Sequence, residues 1–232
     1  MLLKNSIYNI WTKFDKPFKI ELVTLRNFFY YLYNPNPFKM MQKICGEYPV
    51  IVDGGAHDGG TIITLKHYMH ESKIHAFEPL KNIGLKKIAG HYNDIYVNHI
   101  ALGSFDGSAD FNKNKYDDTS SFYEGVYPVE NKITVPVTKL DTYTSKYDVR
   151  VDILKLDVQG SELEVLKGAE ETLKDVKIVF TEVWFQQCYK NQCSFSDIYN
   201  FLKDFEVFSL YFPRKNTKLV ACDAMFVKKG LV

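Results

Sequence analysis

Residues 49–60 read Pro-Val-Ile-Val-Asp-Gly-Gly-Ala-His-Asp-Gly-Gly, and they carry the strongest indication of fold class in the chain. Val50, Ile51 and Val52 form a β-branched run without a polar interruption, which is typical of a strand buried on both faces of a parallel sheet. The glycines that follow lead into a helix-compatible run from Thr61. Because glycine adopts positive φ and lets a ligand approach the backbone, the stretch predicts a pocket for a ribose-bearing ligand.

The spacing of the glycines narrows the choice of ligand. Asp53, Gly55 and Gly59 form the pattern D-x-G-x-x-x-G, whereas a dinucleotide fold requires G-x-G-x-x-G around a pyrophosphate. A second predicted strand, residues 73–77, is followed by Glu78, and an acidic residue at this place accepts hydrogen bonds from the two ribose hydroxyls. Because the G-x-G-x-x-G pattern is absent, a ligand that contains a pyrophosphate is not the first expectation.

Three further segments follow in order. They read Ile-Ala-Leu-Gly-Ser-Phe-Asp-Gly at residues 100–107, Lys-Leu-Asp-Thr-Tyr at 139–143, and Ile-Leu-Lys-Leu-Asp-Val-Gln-Gly-Ser-Glu-Leu-Glu-Val-Leu-Lys-Gly at 153–168. Together with the glycine turn, they make roughly residues 48–183 resemble the FkbM-type family of S-adenosylmethionine-dependent methyltransferases. Four ordered matches are more specific than one glycine loop. One departure is Gln159, where the family more often has Glu.

From about residue 48, strand and helix patterns alternate, which indicates a doubly wound parallel α/β sheet. The resemblance implies the same architecture, the class I methyltransferase Rossmann-like fold of about seven strands, with one strand of the last hairpin antiparallel. The predicted strands are 50–53, 73–77, 95–99, 151–157, 177–183, 206–211 and 219–227, and the predicted helices are 60–70, 80–91, 160–174 and 195–204.

Two regions lie outside this alternation. Residues 1–44 are predicted to form an N-terminal helical extension, ahead of a methyltransferase domain at 45–232. The extension is expected to pack as a helical layer, with a membrane-surface helix or a homo-oligomer interface as alternatives. Residues 104–150 form an insertion with extra sheet-edge strands at 105–111 and 133–137, and the polar loop between them is either mobile or a lid over a site.

Ligands of open α/β sheets bind outside the carboxyl ends of the strands. The predicted S-adenosylmethionine-binding residues are Asp53, Gly54, Gly55, Ala56, His57, Gly59, Thr61, Glu78, Pro79, Ala101, Leu102 and Asp157. Asp53 either binds the amino group of the methionine part or accepts hydrogen bonds from loop amides. Glu78 binds ribose or is a solvated charge before a helix that starts near Pro79. Ala101 and Leu102 are expected beside the adenine.

Methyl transfer to an alcohol requires an in-line nucleophile and a base for the hydroxyl proton. Asp157 is the first candidate for the base, because it ends a mostly apolar strand; its alternative role is to cap the helix near Ser161. Lys155 either reaches the sheet edge or pairs with a carboxylate such as Asp157 or Glu182. Glu182 is predicted to bind substrate hydroxyls or to share a proton with Asp157. His57 is a second, weaker candidate base or a structural cap.

Composition bounds the partners and the location. The chain has 232 residues, 46% hydrophobic and 25% charged, with a formal net charge of +1, which argues against a dedicated nucleic-acid partner. Its four cysteines contain no C-x-x-C pair, and the two candidate carboxylates lack a third ligand, so reduced thiols and no metal are expected. The sequence shows neither a membrane-spanning apolar run nor a signal-peptide pattern, which predicts a cytoplasmic protein.

The resemblance implies transfer of a methyl group to a hydroxyl oxygen of a sugar or a polyketide-like small molecule, and a glycan precursor is the expected acceptor. An NAD-type oxidoreductase is one alternative, but it predicts the missing G-x-G-x-x-G. A non-catalytic binding protein is a second alternative, but a protein that binds no cofactor has little physical reason to combine the glycine turn with Glu78 and Asp157. A protein or nucleic-acid methyltransferase would require a basic or peptide-binding surface that the composition does not indicate.

Overall fold

The computed structural model describes residues 36–212 and 220–232. The helix pairs predicted within residues 1–33 lie outside the described residues, and with them the predicted oligomer interface. The first described helix is α1, Pro37–Cys45. The predicted boundary between extension and domain, at residue 44, falls inside this helix, so the division stays a prediction.

The Asn-Pro-Asn-Pro run at 34–37 predicts the end of a helix, and the structure shows that its second half starts one. Oδ1 of Asn36 accepts a hydrogen bond from the backbone N–H of Phe38 at 2.9 Å, which is the geometry of a side-chain N-cap. Pro37 then occupies the first helical position, where its missing N–H is no loss.

The strands of the described residues form two sheets. They are β1 Val50–Gly54, β2 Lys73–Phe77, β3 Ile95–Asn98, β4 Ala101–Leu102, β5 Gly107–Asn114, β6 Val129–Thr138, β7 Ile153–Leu156, β8 Ile178–Trp184, β9 Phe205–Tyr211 and β10 Ala221–Lys228. The main sheet has seven strands in the order β3-β2-β1-β7-β8-β10-β9. β10 runs antiparallel to β8 and β9, while the remaining neighbours are parallel. The predicted seven-stranded α/β sheet with one antiparallel strand is confirmed.

The helices that follow α1 connect these strands. They are α2 Gly60–Tyr68, α3 Ile83–Ala89, α4 Leu140–Tyr147, α5 Glu162–Lys167 and α6 Phe195–Phe201. The helix predicted from residue 80 begins later, because Asn82 takes the N-cap position and its side chain accepts from the N–H of Gly84. The helix predicted over 160–174 is interrupted, since Asp141 accepts the N–H of Thr172 at 2.8 Å and starts a separate 3₁₀ turn there.

The insertion builds a sheet of its own, which corrects the prediction of extra edge strands on the main sheet. β4, β6 and β5 lie side by side in that order, with β6 parallel to β4 and antiparallel to β5. Pro136 lies on the central strand, but β4 pairs only with Val137 and Thr138, so β6 has one partner at the proline. The helix α4 that closes the insertion was not predicted.

The centre of the main sheet is buried on both faces. Ile51 and Val52 point to opposite faces of β1, and neither has exposed surface. Ile153 and Leu154 repeat this on β7. The apolar runs therefore hold the parallel strands between two layers, and the carboxyl ends of those strands lie at one edge of the sheet.

Candidate active site

The chain turns sharply at Gly55, directly after β1. Gly55 has a φ of +77°, and a Cβ built on it would lie 1.9 Å from the carbonyl oxygen of Asp157. Its N–H donates to the carbonyl oxygen of Phe77 at 3.0 Å, while the N–H of Asp157 donates to that of Gly54 at 3.0 Å. Only glycine fits this position, so the turn is fixed between the ends of β2 and β7.

The second part of the glycine turn leads into α2. The N–H of Gly59 donates to the carbonyl oxygen of Ala56 at 2.8 Å, and Gly59 is the N-cap residue with a φ of +85°. His57 lies between them with a φ of +47° and a half-exposed side chain. Thr61 lies in the first turn of the helix. The predicted turn residues are thus together at a helix N-terminus, where the helix dipole favours negative charge.

Asp53 is fully buried beneath this turn. Its Oδ1 lies 2.9 Å from Nζ of Lys155, its neighbour in register on β7, and the same ammonium donates to the carbonyl oxygen of Gly55 at 3.2 Å. Within the described residues neither oxygen of Asp53 accepts a hydrogen bond of good geometry, so the predicted bonds to loop amides are not observed. Lys155 pairs with Asp53, its register partner on β1, rather than with Asp157 or Glu182.

Lys155 is held in its charged form. Burial lowers the pKa of its ammonium, but the negative charges of Asp53 and Asp157 outweigh burial and raise that pKa above its ordinary value. An ammonium with a raised pKa is a poor base. The position of Lys155 therefore suits holding Asp53 and the turn, not taking a proton from a substrate.

Glu78 follows β2 and is only 8% exposed. Its Oε2 accepts from the backbone N–H of His57 at 3.0 Å and its Oε1 from that of Leu80 at 2.9 Å. Burial raises the pKa of Glu78, and these backbone hydrogen bonds counteract part of that rise. Each carboxylate oxygen keeps a further lone pair for a ligand. The alternative of a solvated charge is wrong, and no helix starts at Pro79, because α3 begins at Ile83.

Ala101 and Leu102 form the short strand β4 and are both buried. Ala101 belongs to an apolar cluster with Phe111, against which Leu80 packs. Leu102 has its Cδ1 3.3 Å from the position a Cβ would take on Gly54. The two residues therefore lie next to the Glu78 loop and the glycine turn respectively, and their contact with adenine stays a prediction.

Asp157 belongs to a hydrogen-bonded group at the ends of β7 and β8. Its Oδ1 accepts from Nε2 of Gln159 at 2.7 Å, and the same amide lies 3.5 Å from Oε2 of Glu182. Gln159 has a φ of +54°, which turns its side chain back toward Asp157. The N-cap of α5 is Ser161, so Asp157 does not have the alternative capping role. The departure from the family pattern at Gln159 thus supplies the hydrogen-bond donor that orients Asp157.

Glu162 shapes the loop that carries Asp157. It has no exposed surface, and its Oε1 accepts from the N–H groups of Val158 and Gly160, both at 3.1 Å. Burial raises the pKa of Glu162 to about 7, despite the loop hydrogen bonds. Glu162 also lies in the first turn of α5, where its sequence position alone predicts only a favourable interaction with the helix dipole. The sequence feature that could have predicted this contact is the position of Glu162 shortly after the run Asp-Val-Gln-Gly at 157–160, from which its side chain can accept hydrogen bonds from the loop backbone.

Asp223 is the site residue that sequence reasoning missed. It lies on β10 directly opposite Glu182 on β8, and both side chains are partly buried. Burial raises the pKa of Glu182 well above its ordinary value, and Asp157 and Glu162 add to the rise. A charged residue inside the apolar run Ala-Cys-Asp-Ala-Met-Phe-Val was the signal, the same kind of interruption that singled out Lys155.

The insertion lies against this group. Oγ of Ser121 donates to the carbonyl oxygen of Gln159 at 2.7 Å, and the hydroxyl of Tyr189 lies 2.7 Å from Oε1 of Gln159. Gly125 forms a β-bridge with Tyr189, from the segment after β8. The loop of the insertion is therefore docked beside the carboxylates, and its role as a lid or substrate-contact loop stays a prediction.

The remaining expectations concern cysteines, metals and membranes. The four cysteines have no disulfide partners. Across residues 36–212 and 220–232, no cluster of His, Cys, Asp and Glu side chains has the arrangement of a metal site. None of the helices in those ranges combines the length and the apolar character needed to cross a bilayer.

Comparison with known proteins gives a family and two kinds of relatives. The family model of the methyltransferase FkbM domain matches residues 53–207. Among curated proteins, the 2-O-methyltransferase NoeI of Sinorhizobium fredii is 26% identical over 198 residues, which cover 74% of this chain and 81% of NoeI.

Among solved structures, the methyltransferase FkbM of Methylobacillus flagellatus KT matches with a TM-score of 0.53 and 17% identity, over 77% of this chain and 44% of that one. The present chain therefore spans less than half of that relative. A putative methyltransferase of Streptococcus mutans in complex with SAH matches with a TM-score of 0.50 and 12% identity, over 82% of this chain and 94% of that one. At these identities the likeness concerns the fold.

Proposed function

The chain belongs to the FkbM family of methyltransferases, and we propose that it transfers a methyl group from S-adenosylmethionine to a hydroxyl oxygen of a sugar or glycan precursor. The resemblance and the class I fold expected from the sequence are confirmed, and the oxidoreductase alternative is not favoured. One observation carries the proposal for the chemistry. The backbone of Asp157 packs directly against Gly55 in the glycine turn, and the carboxylate of the same residue is oriented by the side-chain amide of Gln159.

The residues at the ends of β1 and β2 fit the cofactor. Asp53 has a buried carboxylate oxygen, Oδ2, that no described residue contacts as a donor, and an amino group of the methionine part is a suitable donor. Glu78 is fixed by two backbone hydrogen bonds and keeps lone pairs for the ribose hydroxyls. When bound, S-adenosylmethionine supplies a methyl group activated by its positively charged sulfur.

The reacting alcohol needs a base, and we assign that role to Asp157. Its Oδ1 is engaged by Gln159, and among the described residues no donor contacts Oδ2, which is therefore free for a substrate hydroxyl. The carboxylate would take up the hydroxyl proton as the acceptor oxygen attacks, while the bond between the methyl group and the sulfur would break and S-adenosylhomocysteine would leave. Lys155 contributes indirectly, because it holds Asp53 and the carbonyl of Gly55 in place.

A sugar acceptor is supported by the groups around Asp157. Carboxylates accept hydrogen bonds from hydroxyl groups, and the half-buried Glu182 lies within reach of the same amide as Asp157. The aromatic rings of Tyr189 and Trp184 lie next to these carboxylates, with ring centroids 5.7 Å apart, and the Tyr189 hydroxyl contacts Gln159. NoeI, by its name, is a 2-O-methyltransferase, which agrees with an oxygen acceptor. The cytoplasmic location stays a prediction from the sequence.

Thermal unfolding with and without ligand tests the cofactor assignment. S-adenosylhomocysteine at about 100 times its dissociation constant should stabilise the protein by roughly 2.7 kcal/mol. For a chain of this size we expect a rise in Tm of roughly 5 to 10 °C. NADH under the same conditions should leave Tm unchanged. A rise with NADH alone would favour the oxidoreductase, and no rise with either would favour a non-catalytic binding protein.

A further inference from the structure

The antiparallel pairing of β8 with β10 places two carboxylates opposite each other. Glu182 and Asp223 are register partners, and the side chains of such partners point to the same face of the sheet. Both are partly buried. Two like charges directly opposite each other on paired strands are destabilising. Among the described residues, no group donates a hydrogen bond to the carboxylate of Asp223 that would offset this repulsion.

The surroundings of the pair are rich in acidic groups. The titratable groups that surround the pair are Lys155 from β7, Asp157 directly after that strand, Glu162 from α5, and Tyr127 and Tyr189 from the adjoining loops. The single ammonium among them is already paired with Asp53. The cluster therefore has more acidic groups than cations to neutralise them, which favours uptake of a proton by the pair.

The same face carries an unused hydrogen-bond donor. Trp184 follows Glu182 by two positions on β8, so both side chains point to one face of the sheet. Trp184 is 5% exposed, and its Nε1–H has no hydrogen-bond partner among the described residues. A buried indole N–H without a partner is uncommon, and a ligand hydroxyl would satisfy it. This observation, separate from the carboxylates, also indicates a polar ligand at this place.

We propose that Asp223 binds the acceptor, and that Asp223 and Glu182 hold one proton between them, so that the pair offers one O–H donor and one carboxylate to neighbouring hydroxyls of the acceptor. This inference rests on the proposed function. Burial raises the pKa of Asp223 to about 7, with Asp157 adding to the rise and Lys155 opposing it, which agrees with a retained proton near neutral pH. Asp157 remains the base, and the pair positions the sugar ring beside it.

The first test needs neither cofactor nor acceptor. Asp223→Asn removes one of the two opposed charges without changing the shape of the side chain. Its Tm should exceed that of the wild type at pH 8, where the pair has lost its proton, and equal it at pH 5. Glu206→Gln, an exposed residue on the neighbouring strand β9, serves as the control and should change neither value. A difference between Asp223→Asn and wild type that is the same at both pH values would overturn proton sharing.

The second test uses a glycoside that the wild-type protein methylates. Asp223→Asn should raise KM for that glycoside at least tenfold, leave the affinity for S-adenosylhomocysteine unchanged, and remove the decline of kcat/KM above neutral pH. An altered Tm with unchanged KM and an unchanged pH profile would mean a structural role and overturn acceptor binding. If the wild type methylates no glycoside, the proposed function and acceptor binding fail together, while the Tm comparison still decides whether the pair shares a proton.

Discussion

Gly55 and Asp157 are in such close approach that residue 55 has no room for a side chain, since its Cβ would lie 1.9 Å from the carbonyl oxygen of Asp157. The contact joins the two functional loops of the site. One loop carries residues that we propose bind the cofactor, and the other carries the proposed base. The placement of the base next to the cofactor is therefore a consequence of backbone packing at the ends of two neighbouring strands, β1 and β7.

Gly55→Ala should disrupt both loops. The clash is with backbone, and the φ of +77° adds strain, so we expect a loss of stability of about 3 kcal/mol or more, or a displaced loop with little activity. Gly46→Ala is the matched control, because Gly46 has a φ of +81° but nothing within 4 Å of a Cβ. It should cost about 1 kcal/mol. Chemical denaturation of both variants measures the difference, and equal losses would contradict the packing described here.

Asp157→Asn separates chemistry from binding. Without a carboxylate to take the hydroxyl proton, turnover should fall about 100-fold or more. The affinity for S-adenosylhomocysteine and the Tm should stay nearly unchanged, because Asp157 is not the N-cap of α5. Initial rates and calorimetric titration measure the two effects. Loss of folding in this variant would point instead to a structural role for the side chain.

Glu78→Ala should above all weaken binding of the cofactor. Hydrogen bonds to a charged group contribute about 1.5 to 3 kcal/mol, so the dissociation constant for S-adenosylhomocysteine should rise about 10- to 100-fold. Glu71→Ala, at an exposed position before β2, is the control and should bind as the wild type does. Titration calorimetry gives both constants. An unchanged constant for Glu78→Ala would remove this residue from the cofactor site.

The buried Glu162 predicts a pH dependence of stability. Its pKa is about 7 in the folded protein, above the ordinary value of 4.5, so the folded state binds the proton more tightly than the unfolded chain. The stabilisation from this group is complete below pH 4.5 and is lost as pH rises through 7, an effect of about 3 kcal/mol. Glu162→Gln should flatten this slope, because both loop hydrogen bonds go to one oxygen, Oε1, which the amide keeps. Urea unfolding between pH 5 and 8 measures the slopes, and identical slopes would refute the assignment.

The local pattern of the sequence was sufficient to predict the main sheet and the closeness of Glu78 to the glycine turn. The apolar run of β1, the glycines and Glu78 are close in sequence, so spacing alone could relate them. Contacts between segments that are distant in the sequence could not be predicted from it. The pairing of Lys155 with Asp53 and the opposition of Glu182 and Asp223 depend on strand register, which one sequence does not specify.

The insertion shows the same limit. Its strands were recognised, but their separate sheet depends on which edge they pair with. The helix α4 has polar residues on most of its surface, so its apolar periodicity was too weak to predict it. Gln159 was noted only as a departure from the family pattern, and its partners Asp157 and Tyr189 emerged from the fold.

Methyl transfer to a hydroxyl oxygen is tested by following the methyl group itself. The purified protein is incubated with isotopically labelled S-adenosylmethionine and a set of methyl glycosides and nucleotide-linked sugars, and the products are identified by mass spectrometry. We predict a labelled methyl ether on a sugar, formed by the wild type and absent with Asp157→Asn. Label recovered only on nitrogen, carbon or protein would contradict methyl transfer to a sugar hydroxyl. Equal ether formation by both proteins would contradict the assignment of Asp157 as the base.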